Sequence, residues 1–206
     1  MWAALLGLSI LLARGASEWM DFLYWQQREI LSFPAAPRPP WRQPFLAAAF
    51  WLAALWLSGG SLPPAEFLSR AALLWFLLLA ICTDLEQHVV FDRMQLPFAL
   101  LALPFFPLLG WDVPDHALAA LAGGGGFLLL AVLTRGGIGG GDVKLMAVLG
   151  LWLGTRALIS VALGGFLLSG LVAAIMLLSG CWRRNHRLAY SPYFSAMAIL
   201  HLLGIS

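Results

Sequence analysis

The chain has 206 residues, 61% of them hydrophobic and only 11% charged, with a formal net charge of +2 and a mean hydropathy of +0.86. A soluble domain carries about 25% charged residues, so these charges cannot coat a water-facing surface, and lipid must solvate most of the chain. The small charge gives no footing for nucleic acid as a partner, and two distant cysteines, Cys82 and Cys181, with no CxxC pair exclude a zinc ribbon and argue against a disulfide framework.

Apolar stretches bounded by charge or by Pro/Gly clusters predict an all-α, polytopic membrane bundle of about eight spans. The first, Met1–Leu12, lacks a basic lead-in, and Arg14 falls where a small-residue cleavage site would lie. It therefore reads as a short span rather than a signal peptide. Arg28 to Gln43 (REILSFPAAPRPPWRQ) is rich in Pro and Arg and too poor in apolar residues to bury a core. This divides the chain into a first membrane segment plus irregular cytoplasmic loop, 1–43, and a membrane-embedded core, 44–206. Further spans follow at Pro44–Ser58, Phe67–Thr83, Met94–Gly110, Ala117–Thr134, Val143–Gly154, Ala157–Gly180 and Pro192–Ile205. The sixth is short for a bilayer crossing and calls for tilt or local thinning. Gly123–Gly126 and Gly164–Gly165 are small-residue patches at which helices can approach closely.

If the spans alternate, Arg28, Arg38, Arg42, Arg93, Arg135, Lys144, Arg183, Arg184 and Arg187 share one face. Arg70, Arg156, Glu66, Asp112 and Asp115 fall on the other. The basic face is then cytoplasmic, with both termini opposite. Arg183, Arg184 and Arg187 suit orientation anchors that meet anionic lipid.

This topology puts Asp84, at the end of the third span, and Asp142, at the start of the sixth, at one depth on the cytoplasmic side. Intramembrane carboxylates are costly, which makes them functional candidates. Two carboxylates sharing a site of low polarity cannot both ionise cheaply, so one keeps its proton and the pair acts as acid and base. Simple helix capping is the competing explanation. Asp142 follows Gly136, Gly137, Ile138, Gly139, Gly140 and Gly141. A glycine run of this kind cannot form a stable lipid-facing helix, and it lets an extended substrate backbone come close. It is not a phosphate cradle, because no GxxxxGK[ST] pattern is present.

Residues Ile138, Gly139, Gly140, Gly141, Asp142, Val143, Lys144 and Leu145 resemble the GxGD signature of the prepilin (type IV leader) peptidases, G-x-G-D-V-K-L. The stretch from Thr83 and Asp84 through His88 to Asp92, followed by Leu96 and Pro97, is similar to that family's first aspartate motif. Ser191, Pro192, Tyr193, Phe194, Ser195 and Ala196 resemble its P-[FY]-G-P-F-L-A segment. The resemblance implies a catalytic dyad of Asp84 and Asp142, with Gly139 and Gly141 shaping the loop that presents Asp142. Lys144 would hold an acidic group of the substrate or tune the dyad, unless it only snorkels to the interface. No cofactor or metal is implied. Implied partners are prepilin-like or pseudopilin precursors, each with a short basic leader, a glycine at the cleavage point and an apolar helix beyond. Membrane lipid surrounds them, and the implied location is a bacterial inner membrane with the site towards the cytoplasm. Two departures stand out. Phe91 replaces the family's usual Pro, and the first loop lacks the paired cysteines of the long members, so N-methyltransferase activity is not expected.

His88, four residues after Asp84, would share its face on a continuing helix, and reads as a polar interface residue. His116, His186 and His201 are scattered. Glu86 and Asp92 read as solvated loop carboxylates. Two other function classes fit parts of the pattern: an ion-coupled transporter or channel, since carboxylates beside broken helices mark such sites, and an inactive scaffold of the same fold.

Overall fold

A computed structural model describes residues 2–33, 38–60, 62–135, 137–181 and 189–204, and among these every regular element is helical. The helices are α1 (Trp2–Gln26), α2 (Arg42–Gly59), α3 (Pro64–Gln87), α4 (Asp92–Ala102), α5 (Phe105–Leu109), α6 (Val113–Leu133), α7 (Gly140–Leu178) and α8 (Ser191–Leu202). Three of them, α3, α6 and α7, are long and apolar enough to cross a membrane. With the composition, this makes the chain an all-α integral membrane protein. Arg183, Arg184, His186 and Arg187 lie outside the described residues.

The chain forms two compact units, Met1–Trp111 and Asp112–Ser206. In the first, α1 runs well past the expected end at Leu12. Arg14 and Glu18 interrupt the apolar run but sit on the exposed face, while Ser9, Ala13, Ala16, Ser17, Met20, Leu23 and Tyr24 make a buried stripe at helical spacing. A single 3-10 turn, Arg28–Ile30, follows it. The expected fourth span is two helices, α4 and α5, because Pro104 supplies no N–H to continue the hydrogen-bond ladder. Phe50 stacks on Trp75, joining α2 to α3, and Phe76 packs on Phe98, joining α3 to α4.

In the second unit α6 and α7 pack closely through glycines. A Cβ on Gly150 would lie 2.5 Å from the backbone of Ala119, and one on Gly123 would lie 2.8 Å from the Met146 carbonyl oxygen. Without a hydrophobic force between helices in lipid, such backbone approach is a main source of association. Gly125 and Gly126 face open space, so only part of the expected patch is used. The expected sixth and seventh spans form α7, which departs from helical geometry at Gly154 (φ 74°, ψ 174°). Farther along, Gly165 makes room for the ring of Phe194 from α8. Phe127, Phe166 and Phe194 meet there with ring centroids 5.1 to 5.3 Å apart.

Candidate active site

Asp84 lies in the last turn of α3 and is 4% exposed. Apolar residues from Leu73 to Cys82 bury most of this half of the helix, and Thr83 beside Asp84 is fully buried. The helix stops at Gln87, because His88 takes the left-handed conformation (φ 52°) and its N–H closes on the Asp84 carbonyl oxygen at 2.9 Å. His88 is therefore not on a continuing helix with Asp84. Its ring packs against Phe33, centroids 5.4 Å apart.

Glu86 is not the solvated carboxylate that its place in the sequence suggests. Its side chain is 7% exposed and paired with Arg42, whose own side chain is 2% exposed. Arg42 Nε donates to Glu86 Oε1 at 2.7 Å and Nη2 donates to Oε2 at 2.5 Å, a bidentate fork. Arg42 Nη1 donates to Asp21 Oδ1 at 2.5 Å, and the Tyr24 hydroxyl donates to Glu86 Oε2 at 3.1 Å. Arg42, assigned by sequence to a polar loop, is thus a buried residue at the start of α2. Asp92 is exposed, as expected.

Asp142 lies in the first turn of α7 and is 8% exposed. Gly139 precedes the helix in extended conformation, and its carbonyl accepts the N–H groups of Asp142 at 3.0 Å and Val143 at 3.3 Å. The Asp142 carboxylate accepts hydrogen bonds from the backbone N–H groups of Gly139 and of Ser191, the first residue of α8. Two helix N-termini therefore converge on one carboxylate, where their dipoles favour negative charge. Its Oδ1 is buried without a hydrogen-bond partner among the described residues. The Ser191 contact was not legible in the sequence, since it joins positions 49 residues apart.

Gly139 and Gly140 are exposed, Gly141 is half-buried and Lys144 is exposed. A Cβ on Gly140 would meet nothing within 4 Å, and one on Gly139 would only touch Asp142 Oδ2 at 3.4 Å. The glycine strip is thus an open backbone surface beside the carboxylate. Among the described residues, no group of three or more His, Cys, Asp or Glu is placed to hold a metal ion.

The model of the type IV leader peptidase family matches residues 71–178, which include both aspartates. Three curated relatives are each named prepilin leader peptidase/N-methyltransferase. That of Bacillus subtilis (strain 168) is 31% identical over 144 residues, 67% of this chain and 56% of its own length. That of Aeromonas salmonicida (strain A449) is 35% identical over 150 residues, 66% of this chain and 49% of its own. The Aeromonas hydrophila protein also shows 35% identity over 150 residues, with the same coverage of 66% and 49%. The chain spans about half the length of the curated relatives it matches. No solved structure matches it.

Proposed function

The chain belongs to the type IV leader peptidase family, and from that premise we propose that it is an aspartic endopeptidase with Asp84 and Asp142 as its catalytic pair. The observation that carries this reading is a shared one. Each aspartate is buried at the end of a long apolar helix, and each lies in the segment the family model matches.

In this proposal the ionised carboxylate takes a proton from water, which attacks the scissile carbonyl. The protonated carboxyl donates to the carbonyl oxygen, and a proton then passes to the leaving nitrogen. Neither a metal nor a covalent intermediate is required. Gly139 and Gly141 shape the loop that presents Asp142, and Lys144 meets an acidic group of the substrate. The substrates are prepilin-like or pseudopilin precursors, cut between a short basic leader and an apolar helix. Cleavage takes place at the cytoplasmic face of a bacterial inner membrane, with lipid around the site and no role for nucleic acid. The peptidase core spans 44–206, and the cysteine-free first loop supports a peptidase without N-methyltransferase activity.

The test is leader release from a panel of pilin-like precursors by the protein in lipid, comparing wild type with Asp84→Asn and Asp142→Asn. Release by wild type with two folded, inert variants supports the dyad. Turnover that survives either substitution removes the aspartyl mechanism. A wild type that cuts no precursor moves the transporter and scaffold readings ahead.

A further inference from the structure

Phe33, which follows α1, and Arg42, which begins α2, both reach the C-terminal end of α3. Between them they hold three consecutive residues there. Glu86 is gripped by Arg42, Gln87 Oε1 accepts the Phe33 N–H at 3.1 Å, and the His88 ring packs on Phe33. Arg42 is anchored in turn to α1, by Asp21 Oδ1 at 2.5 Å and the Ser17 carbonyl oxygen at 3.3 Å. Its guanidinium also lies 5.5 Å from the centroid of the Tyr24 ring.

A buried ion network of this kind is a poor means of gaining stability, since desolvation offsets most of the attraction. What a bidentate fork does supply is orientation. The end of a helix is where backbone bonds run out and local opening costs least, yet Asp84 sits in that turn. Glu86 lies two residues on, about 200° around the helix from Asp84, so the clamp grips the turn from the far side.

We propose that Arg42 is a positioning residue that fixes the last turn of α3 through Glu86 and so aims the Asp84 carboxyl. The proposal rests on Asp84 being catalytic. A displacement of 1 Å in a reacting group costs on the order of 100-fold in rate, so a loosened turn lowers turnover while leaving substrate binding in place.

The experiment uses the full chain in lipid with Cys181→Ser, which leaves the fully buried Cys82, one turn before Glu86, as the sole thiol. Arg42→Gln, Arg42→Lys and Glu86→Gln are compared with Leu57→Ala, a core substitution in α2. Two quantities are read: labelling of Cys82 by N-ethylmaleimide, and precursor cleavage per folded molecule. Arg42→Gln and Glu86→Gln are expected to raise labelling about 10-fold and to lower kcat by about 10- to 100-fold, with KM within about twofold. Arg42→Lys, which keeps the charge but loses the fork, falls between them and wild type. Glu86→Gln keeps the Tyr24 contact and the volume, so it serves where Arg42→Gln does not fold. Wild-type kcat in Glu86→Gln overturns the proposal, and so does an equal kcat loss in Leu57→Ala, which would show a merely structural role. If wild type cleaves no precursor, the peptidase reading fails by itself. Labelling then decides the clamp: a rise supports it and unchanged labelling removes it.

Discussion

Asp115, in the first turn of α6, accepts the backbone N–H of Thr155 through its Oδ2 at 3.1 Å, at the point where α7 breaks. The Thr155 hydroxyl returns a bond to the Asp115 carbonyl oxygen at 3.3 Å. On the other side of the break, His116 Nδ1 donates to the Leu151 carbonyl oxygen at 2.8 Å. Adjacent residues of α6 thus satisfy the donor and acceptor that α7 frees at Gly154, as backbone groups at a helix break require. Two terms act against a side chain at Gly154. Its φ of 74° disfavours any L residue, and a Cβ would lie 2.5 Å from Asp115 Oδ2. Gly154→Ala is therefore expected to destabilise by about 2 kcal/mol or more, read from reversible unfolding in mixed micelles. Asp115→Ala should lower the melting temperature in the same assay. A wild-type Gly154→Ala would mean that the break is not a fixed feature.

The α6–α7 interface gives a paired prediction. At Gly150 the atoms that a Cβ would strike are Ala119 backbone, which has no rotamer to change. Gly150→Ala should cost about 1–3 kcal/mol, the usual range for overpacking. At Gly125, in the same helix pair, there is open space, and Gly125→Ala should stay within about 1 kcal/mol of wild type. Equal losses at both positions would show that the helices do not meet through Gly150.

Phe194 is fully buried and joins α8 to both Phe127 and Phe166. Phe194→Ala should cost about 3–5 kcal/mol. Because α8 also brings the Ser191 N–H to Asp142, cleavage per folded molecule should fall along with stability. Phe194→Leu should recover most of both. Full activity in a folded Phe194→Ala protein would mean that the position of α8 is immaterial to Asp142.

What was legible in the sequence was local. Asp84 and Asp142 stand out as candidates because a charge at the end of an apolar run is visible in a neighbourhood of a few residues. The division of α7 was readable from Gly154 followed by Thr155 and Arg156, a polar interruption in an apolar stretch. The length of α1 was missed because Arg14 and Glu18 end the hydropathy signal without ending the buried stripe on the other face. Glu86 was misplaced for a non-local reason. Its partner Arg42 is 44 positions away, and neither residue alone shows that the other neutralises it. Asp115 was likewise placed only by the sign of its charge, since its role depends on Thr155, 40 positions on.

Lys144 is exposed in the first turns of α7, and the exposure sets the size of what it can contribute. A solvent-accessible ion pair contributes about 0.2–1 kcal/mol, which limits the change in KM to about fivefold. Lys144→Ala is expected to raise KM by about two- to fivefold for a precursor with a carboxylate near the cleavage point and to leave kcat unchanged. Lys144→Arg should stay near wild type, because an accessible point charge needs no bidentate geometry. Raising the salt concentration should shrink the difference between wild type and Lys144→Ala, since exposed pairs are screened. Measuring KM at two ionic strengths, with acidic and neutral versions of one precursor, decides the matter. An effect that is the same for both precursors would assign Lys144 to the membrane interface, and a loss confined to kcat would place it with the proposed pair of Asp84 and Asp142.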